Sequence, residues 1–347
     1  MSELEIMLAE SAGRIFANEV TVAQIELMES GQWSTELWAQ LEDSGLTRVL
    51  VTESDEGASA SWSEALPVLL AASKNLTPVA FVETVLAGWI LSQLGIAVPR
   101  GAMCLALPKG EVEFASHGAG YFTGKVSAPW GRCIKHVLVA VRNESDDSPV
   151  WLLLPSEGVQ VEQGTNAAAE PRDTLVFEGT PVVAQCRGYG GDPKLLGALL
   201  TSIQISGVLE RILNQSVQYA SDRVQFGKPI GKFQAIQQQL SLMANHVVAA
   251  RMAVATACDA MESPNWERQA MIAKVVCGQA ASVVAGIAHQ VHGAIGFTYE
   301  HTLHFATRRL WSWRAEFGGD SEWAEKLGRE AIARGGKDLW ADLTIYH

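Results

Sequence analysis

The apolar periodicity of this chain changes twice, and those two changes constrain its architecture more than any other feature. From residue 1 to 98, apolar side chains recur at helical spacing. "STELWAQLEDSGL" opens on Ser34, a residue suited to cap a helix, with Glu36 close enough to assist, and "PVAFVETVLAGWILSQLG" closes on Gly95. After Pro99 come short apolar or β-branched runs: "MCLALP", "YFTGKVSAPW", "HVLVAVR", "VWLLLP", "VQVEQG" and "TLVFEGTPVV". Pro, Gly and charged clusters part them, which predicts several antiparallel strands. Near Asp192 the helical spacing resumes. It runs through "PKLLGALLTSIQISGVLERILNQSVQYASDR" and two further segments of similar length, "KFQAIQQQLSLMANHVVAARMAVATACDAM" and "NWERQAMIAKVVCGQAASVVAGIAHQVHG". Their Ala and Gly residues suit close packing in an antiparallel bundle.

The expected fold class is α+β and multidomain. An N-terminal helical domain spans 1–98, a small antiparallel β-domain 99–188, and a C-terminal long-helix bundle of four-helix type 189–347. Strands and helices do not alternate, which argues against a doubly wound nucleotide fold.

Charge and cysteine usage narrow the function. A net charge of -12 argues against general nucleic-acid binding and against an anionic membrane face. No uninterrupted apolar run approaches the ~20 residues of a membrane span. The five cysteines are scattered without a CxxC, so neither a disulfide framework nor a zinc site is expected. "MSELEIMLAESAGRIF" is acidic and helical rather than a secretory leader, and the expected setting is the cytoplasm. His289 and His292 lie three apart but lack the carboxylate of HExxH, so packing is expected there and no metal.

One corner raises a sharper question. "YASDRVQFGKPIGKFQAIQQQLSLMA" sets Arg223, Phe226 and Gly227 between two long helical patterns, and "HQVHGAIGFTYEHTLHFATRRL" follows the third. With the helix, strand, helix order, these two motifs resemble the acyl-CoA dehydrogenases along essentially the whole chain. The resemblance is strongest over residues 199–310. It implies bound FAD, an acyl-CoA substrate, electron-transfer flavoprotein as acceptor, and subunits in dimers or dimers of dimers. The "R-x-x-F-G" corner is then expected to face the FAD of a neighbouring subunit. Arg223 would pair with the pyrophosphate, Gln225 would add a polar contact, and Phe226 would pack on the cofactor's apolar surface. Gln234 would meet the same cofactor. Gln290 and the backbone near Gly293 and Ala294 would reach its adenine-side phosphates.

The same resemblance exposes gaps. Removing a weakly acidic α-proton needs a desolvated carboxylate base. Counted without gaps from "GAIGFTYEH", the family's base position holds Phe317; Glu316 is one residue earlier and is the carboxylate to test. The alternative base position, on the first long helix of the bundle, falls near Gly197. Glu210 is three to four turns further along that helix. The loop expected to touch the flavin ring is replaced by "MCLALPKGEVEF". Trp130 is read either as flavin-facing or as a core tryptophan of the β-domain.

Two functions follow. One is an active dehydrogenase using Glu316 or an unrecognised base, in a homo-oligomer. The other is a subunit without its own catalysis that completes FAD sites in a heterotetramer with a paralogous dehydrogenase. It resembles the non-catalytic chains of bacterial enzymes that degrade steroid side chains.

Overall fold

A computed structural model of the chain describes residues 2–115, 120–142 and 149–337. Their contacts divide them into two compact units, one within 2–68 and 77–194, the other within 69–76 and 195–337. Element type follows the expected order. Helices α1 (Glu3–Glu19), α2 (Val22–Glu29), α3 (Thr35–Asp43), α4 (Trp62–Lys74) and α5 (Phe81–Gln93) come first. Then come β1 (Met103–Ala115), β2 (Tyr121–Pro129), β3 (His136–Arg142), β4 (Pro149–Pro155), β5 (Gln160–Glu162), β6 (Arg172–Pro181) and β7 (Ala184–Arg187). The expected division at 98 and 188 falls between elements; compactness joins the first helices and the sheet into one unit.

Local chemistry explains the helix ends. The Ser34 side chain accepts from the Leu37 backbone N–H at 3.3 Å, satisfying a donor the first turn of α3 leaves free. At the end of α5, Gly95 takes φ +65, and the Ile96 N–H reaches back to the Leu91 carbonyl at 3.0 Å. Every residue of α5 from Phe81 to Leu91 is buried. The hydroxyl of Thr84 accepts from the Met103 N–H at 3.0 Å, tying α5 to the start of β1.

The strands run in the order β5-β6-β2-β1-β3-β4-β7. One pairing departs from the expected antiparallel set. Met103–Ala106 of β1 pairs parallel with His136–Val139 of β3, while Leu107–Ala115 pairs antiparallel with β2. The cause is the connection after Pro129. Trp130, at φ +59, turns the chain across the end of β1, and the Lys135 N–H bonds the Ala102 carbonyl at 2.8 Å. β3 therefore enters on the far side of β1, in the same direction. A parallel neighbour reached without a helix leaves no trace in periodicity.

The second unit contains α6 (Pro193–Asp222), α7 (Gln234–Asp259), α8 (Trp266–His292), α9 (Leu303–Ala315) and α10 (Asp320–Arg334). Gly207 lets α6 close on residues 70–74: a Cβ there would lie 2.7 Å from that of Ser73. Among these helices, α6, α7 and the stretch Trp266–Phe297 are each long and apolar enough to cross a membrane by length and composition. This corrects the expectation drawn from uninterrupted apolar runs, because scattered polar residues interrupt the run without offsetting the surrounding Ala, Val, Leu and Ile. Most of the apolar window of α6 is buried in the protein, whereas only 28% of that of α7 is.

Candidate functional site

The Arg223 corner is a β-hairpin rather than a simple turn between helices. β8 (Val224–Gln225) and β9 (Lys228–Pro229) pair antiparallel, and the Ile230 N–H bonds the Arg223 carbonyl at 2.8 Å. Phe226 and Gly227 form its two-residue tip at φ +53 and φ +79, as a primed hairpin turn requires. Gly227 is an ordinary occupant of such a tip. Phe226 is not: it is a bulky residue in the left-handed region and is 92% exposed. Strain and an exposed aromatic ring at one position suit a residue kept for contact rather than for stability.

Arg223, Gln225, Gln234, Gln290, Gly293 and Ala294 are all exposed. Arg223 and Gln225 lie in the hairpin, and Gln234 opens α7. A groove of about 500 Å³ runs along that helix, lined by Gln234, Gln237, Gln238, Ser241, Leu242 and Asn245. Gln290 lies in the last turn of α8, and Gly293 leaves that helix at φ +64 with open space where a Cβ would stand. The hairpin and groove thus offer a guanidinium, several amides and an exposed aromatic ring, and the Gln290–Ala294 segment adds an amide and exposed backbone. That donor set fits a ligand with both an anionic diphosphate and a planar apolar ring, as FAD has.

The two expected base positions meet. The ring of Phe317 occupies the place where any Cβ on residue 197 would project. Phe317 has φ +55, and its carbonyl accepts from the Trp323 indole N–H at 3.0 Å. Beneath this turn lies Lys274, fully buried. Its Nζ donates to Thr201 Oγ1 at 2.9 Å, the Trp313 carbonyl at 2.7 Å and the Glu316 carbonyl at 2.8 Å. Burial pushes the Lys274 ammonium down to about 8, with the Glu316 carboxylate opposing. Glu316 itself is half-buried at the C-terminal end of α9. Glu210 is engaged elsewhere, accepting from Lys74 Nζ at 2.7 Å with Arg251 Nη1 at 3.6 Å.

Trp130 is 2% exposed, with the Trp33 ring edge-on at 6.0 Å. Next to it is a carboxyl that sequence reading missed. Glu83, in the buried first turn of α5, is 6% exposed. Its Oε2 and the Trp130 Nε1 are both buried without a hydrogen-bond partner, although the indole N–H lies near enough to favour the charged carboxylate. Burial pushes the Glu83 carboxyl up to about 7, against the pull of the Arg172 charge. The signal was present: it is the only charged residue of α5. The histidines gather without metal geometry. His289 stacks on Phe297 at 4.3 Å and His292 on Tyr219 at 4.5 Å, and among the described residues no His, Cys, Asp or Glu group is arranged to hold a metal ion.

Residues 196–332 match the family described as acyl-CoA dehydrogenase, C-terminal domain. The chain is 26% identical to acyl-CoA dehydrogenase IpdE2 of Mycobacterium tuberculosis over 313 residues, 87% of this chain and 89% of the relative. Among solved structures, the ChsE4-ChsE5 complex of M. tuberculosis aligns with a TM-score of 0.87 at 23% identity, over 97% of this chain and 99% of that one. The Tcur3481-Tcur3483 steroid ACAD aligns at 0.83 and 20%, over 95% and 98%. PigA with FAD and proline aligns at 0.85 and 18%, over 96% and 99%. At these identities the structural likenesses show the fold.

Proposed function

This chain belongs to the acyl-CoA dehydrogenase family, and from that premise we propose that it is a subunit that completes FAD sites on a paralogous catalytic partner. The reaction served is α,β-dehydrogenation of an acyl-CoA thioester in lipid or steroid side-chain breakdown. The observation that carries this reading is the Phe317–Gly197 contact, which fills the place of both family base positions with an aromatic ring. A carboxylate carried on either residue would need the volume that ring takes. Arg223, just beyond the other end of α6, stays exposed.

FAD, when bound, would supply the acceptor for the β-hydride. The chain's own residues bind and orient. Arg223 neutralises diphosphate charge, Phe226 covers an apolar ring face, and Gln225, Gln234 and Gln290 donate amide hydrogen bonds. The exposed apolar residues of α7, Leu242, Val248 and Met252, supply a surface for the partner. The heteromeric make-up of the ChsE4-ChsE5 and Tcur3481-Tcur3483 structures supports a paired subunit. The setting of such a soluble assembly is the cytoplasm, with electron-transfer flavoprotein as acceptor.

A second reading, a chain with its own base, is favoured by Glu83. Its buried carboxyl has the raised affinity for a proton that base catalysis at neutral pH uses. Expression alone and with a glutamate-bearing paralogue separates the two. The helper reading predicts little flavin and no acyl-CoA oxidation from the chain alone, and both from the pair. Full flavin and robust turnover from the chain alone favours the second reading, and Glu83→Gln then tests the base.

A further inference from the structure

The two segments proposed to hold FAD leave the C-terminal ends of two different helices. Arg223 follows α6 and Gly293 follows α8. A helix C-terminus carries partial negative charge, so it repels a diphosphate unless cationic and N–H groups beyond it are held in place. What holds them here is a pair of rings. Tyr219 on α6 stacks on His292 on α8 with centroids 4.5 Å apart and planes 26° from parallel.

Each ring is tied to its own clamp segment. The Tyr219 carbonyl accepts the Arg223 N–H at 2.9 Å, one turn before the hairpin. His292 immediately precedes Gly293, and its Nδ1 bonds the Ala288 carbonyl at 2.7 Å, which fixes the ring over the last turn of α8. His292 is 3% exposed, so the joint is not a surface contact. Its other nitrogen, Nε2, is buried without a partner, a cost that ring packing alone does not require. His301 closes the joint from the segment before α9, edge-on to His292 at 4.8 Å and to Tyr219 at 6.2 Å. A second bond runs parallel to it, from Gln215 Nε2 on α6 to Thr302 Oγ1 at 3.0 Å.

We propose that the Tyr219–His292 stack is a positioning joint that makes the hairpin Arg223–Gly227 and the segment Gln290–Ala294 act as one clamp. The proposal rests on the FAD reading above. Tyr219 and His292 are positioning residues and need not touch the cofactor.

The test is a set of double-mutant cycles read as FAD dissociation constants in the complex with the catalytic partner. Arg223→Ala, Gln290→Ala and the pair are compared in the wild-type background and in Tyr219→Leu. The joint predicts that the two substitutions are coupled in the wild type, by about fivefold or more, and additive in Tyr219→Leu. Tyr219→Phe keeps the ring and restores the coupling, which distinguishes positioning from mere loss of stability. Additivity in the wild type, or coupling that survives Tyr219→Leu, overturns the proposal. If neither Arg223→Ala nor Gln290→Ala changes FAD affinity, the clamp itself is wrong and the joint falls with it. Should Tyr219→Leu fail to fold, His292→Asn carries the same comparison, since it keeps a side-chain N–H for Ala288 and removes the ring.

Discussion

Phe317 stands in the space that a side chain on Gly197 would need. This contact joins two positions 120 residues apart in sequence, the two at which the family resemblance leads one to expect a base. Gly197→Ala forces the ring aside in a packed site, and overpacking of this kind costs about 1–3 kcal/mol. Chemical denaturation measures it. An unchanged midpoint contradicts the contact.

Glu316 is half-buried one residue before the expected base position, and a one-residue step turns a side chain by about 100° on a helix. Lost general-base catalysis typically costs 10²-fold or more. In the partnered complex, Glu316→Gln is therefore expected to leave kcat within about threefold with FAD bound. A hundredfold fall assigns the base to this chain.

Phe226 carries backbone strain at a hairpin tip whose preferred residues are Asn and Gly. Phe226→Asn relieves it and is expected to stabilise the free protein by about 1 kcal/mol. The same change removes the exposed ring and weakens FAD retention. Denaturation and FAD titration should move in opposite directions; movement of both toward weaker values contradicts this view of Phe226.

Glu83 gives the pH dependence its sign. Burial pushes its carboxyl up to about 7 in the folded protein from an ordinary 4.5, so the folded state binds the proton more tightly. Stability is then highest below about pH 4.5 with respect to this group and falls as pH rises to about 7, by on the order of 3 kcal/mol. Glu83→Gln cannot ionise and should lose that slope. Denaturation of both proteins at pH 5.5 and pH 8 compares them directly. A parallel loss in the two shows that the slope comes from other groups.

Much of this was legible in the sequence because it depends on local pattern. Ser34 and Gly95 mark helix ends by chemistry that acts within one turn. The change of period at Pro99 follows from the alternation of a strand. Arg223 and Gln290 were singled out by motif, and the structure places both on the surface. What stayed hidden depends on distance along the chain. The parallel β1–β3 pair arises from a crossing at Trp130 that no period records. The β8–β9 hairpin lacks the Asn-Gly tip that would announce it, because Phe226 holds the first place. Gly197 and Phe317 read as two separate absences until the fold brought them together. Glu83 went unread in the sequence, and its meaning came only from its burial in the fold.

The proposed role of this chain is to clamp a cofactor whose chemistry a partner completes. The most direct measurement is FAD affinity of the complex between this chain, carrying Arg223→Ala, and a wild-type paralogue bearing the glutamate base. Loss of one charge-assisted hydrogen bond is worth about 1.5–3 kcal/mol, so the dissociation constant should rise by roughly 10-fold to 150-fold although the catalytic chain is unaltered. An unchanged FAD dissociation constant in that complex removes Arg223 from the cofactor site and the clamp with it.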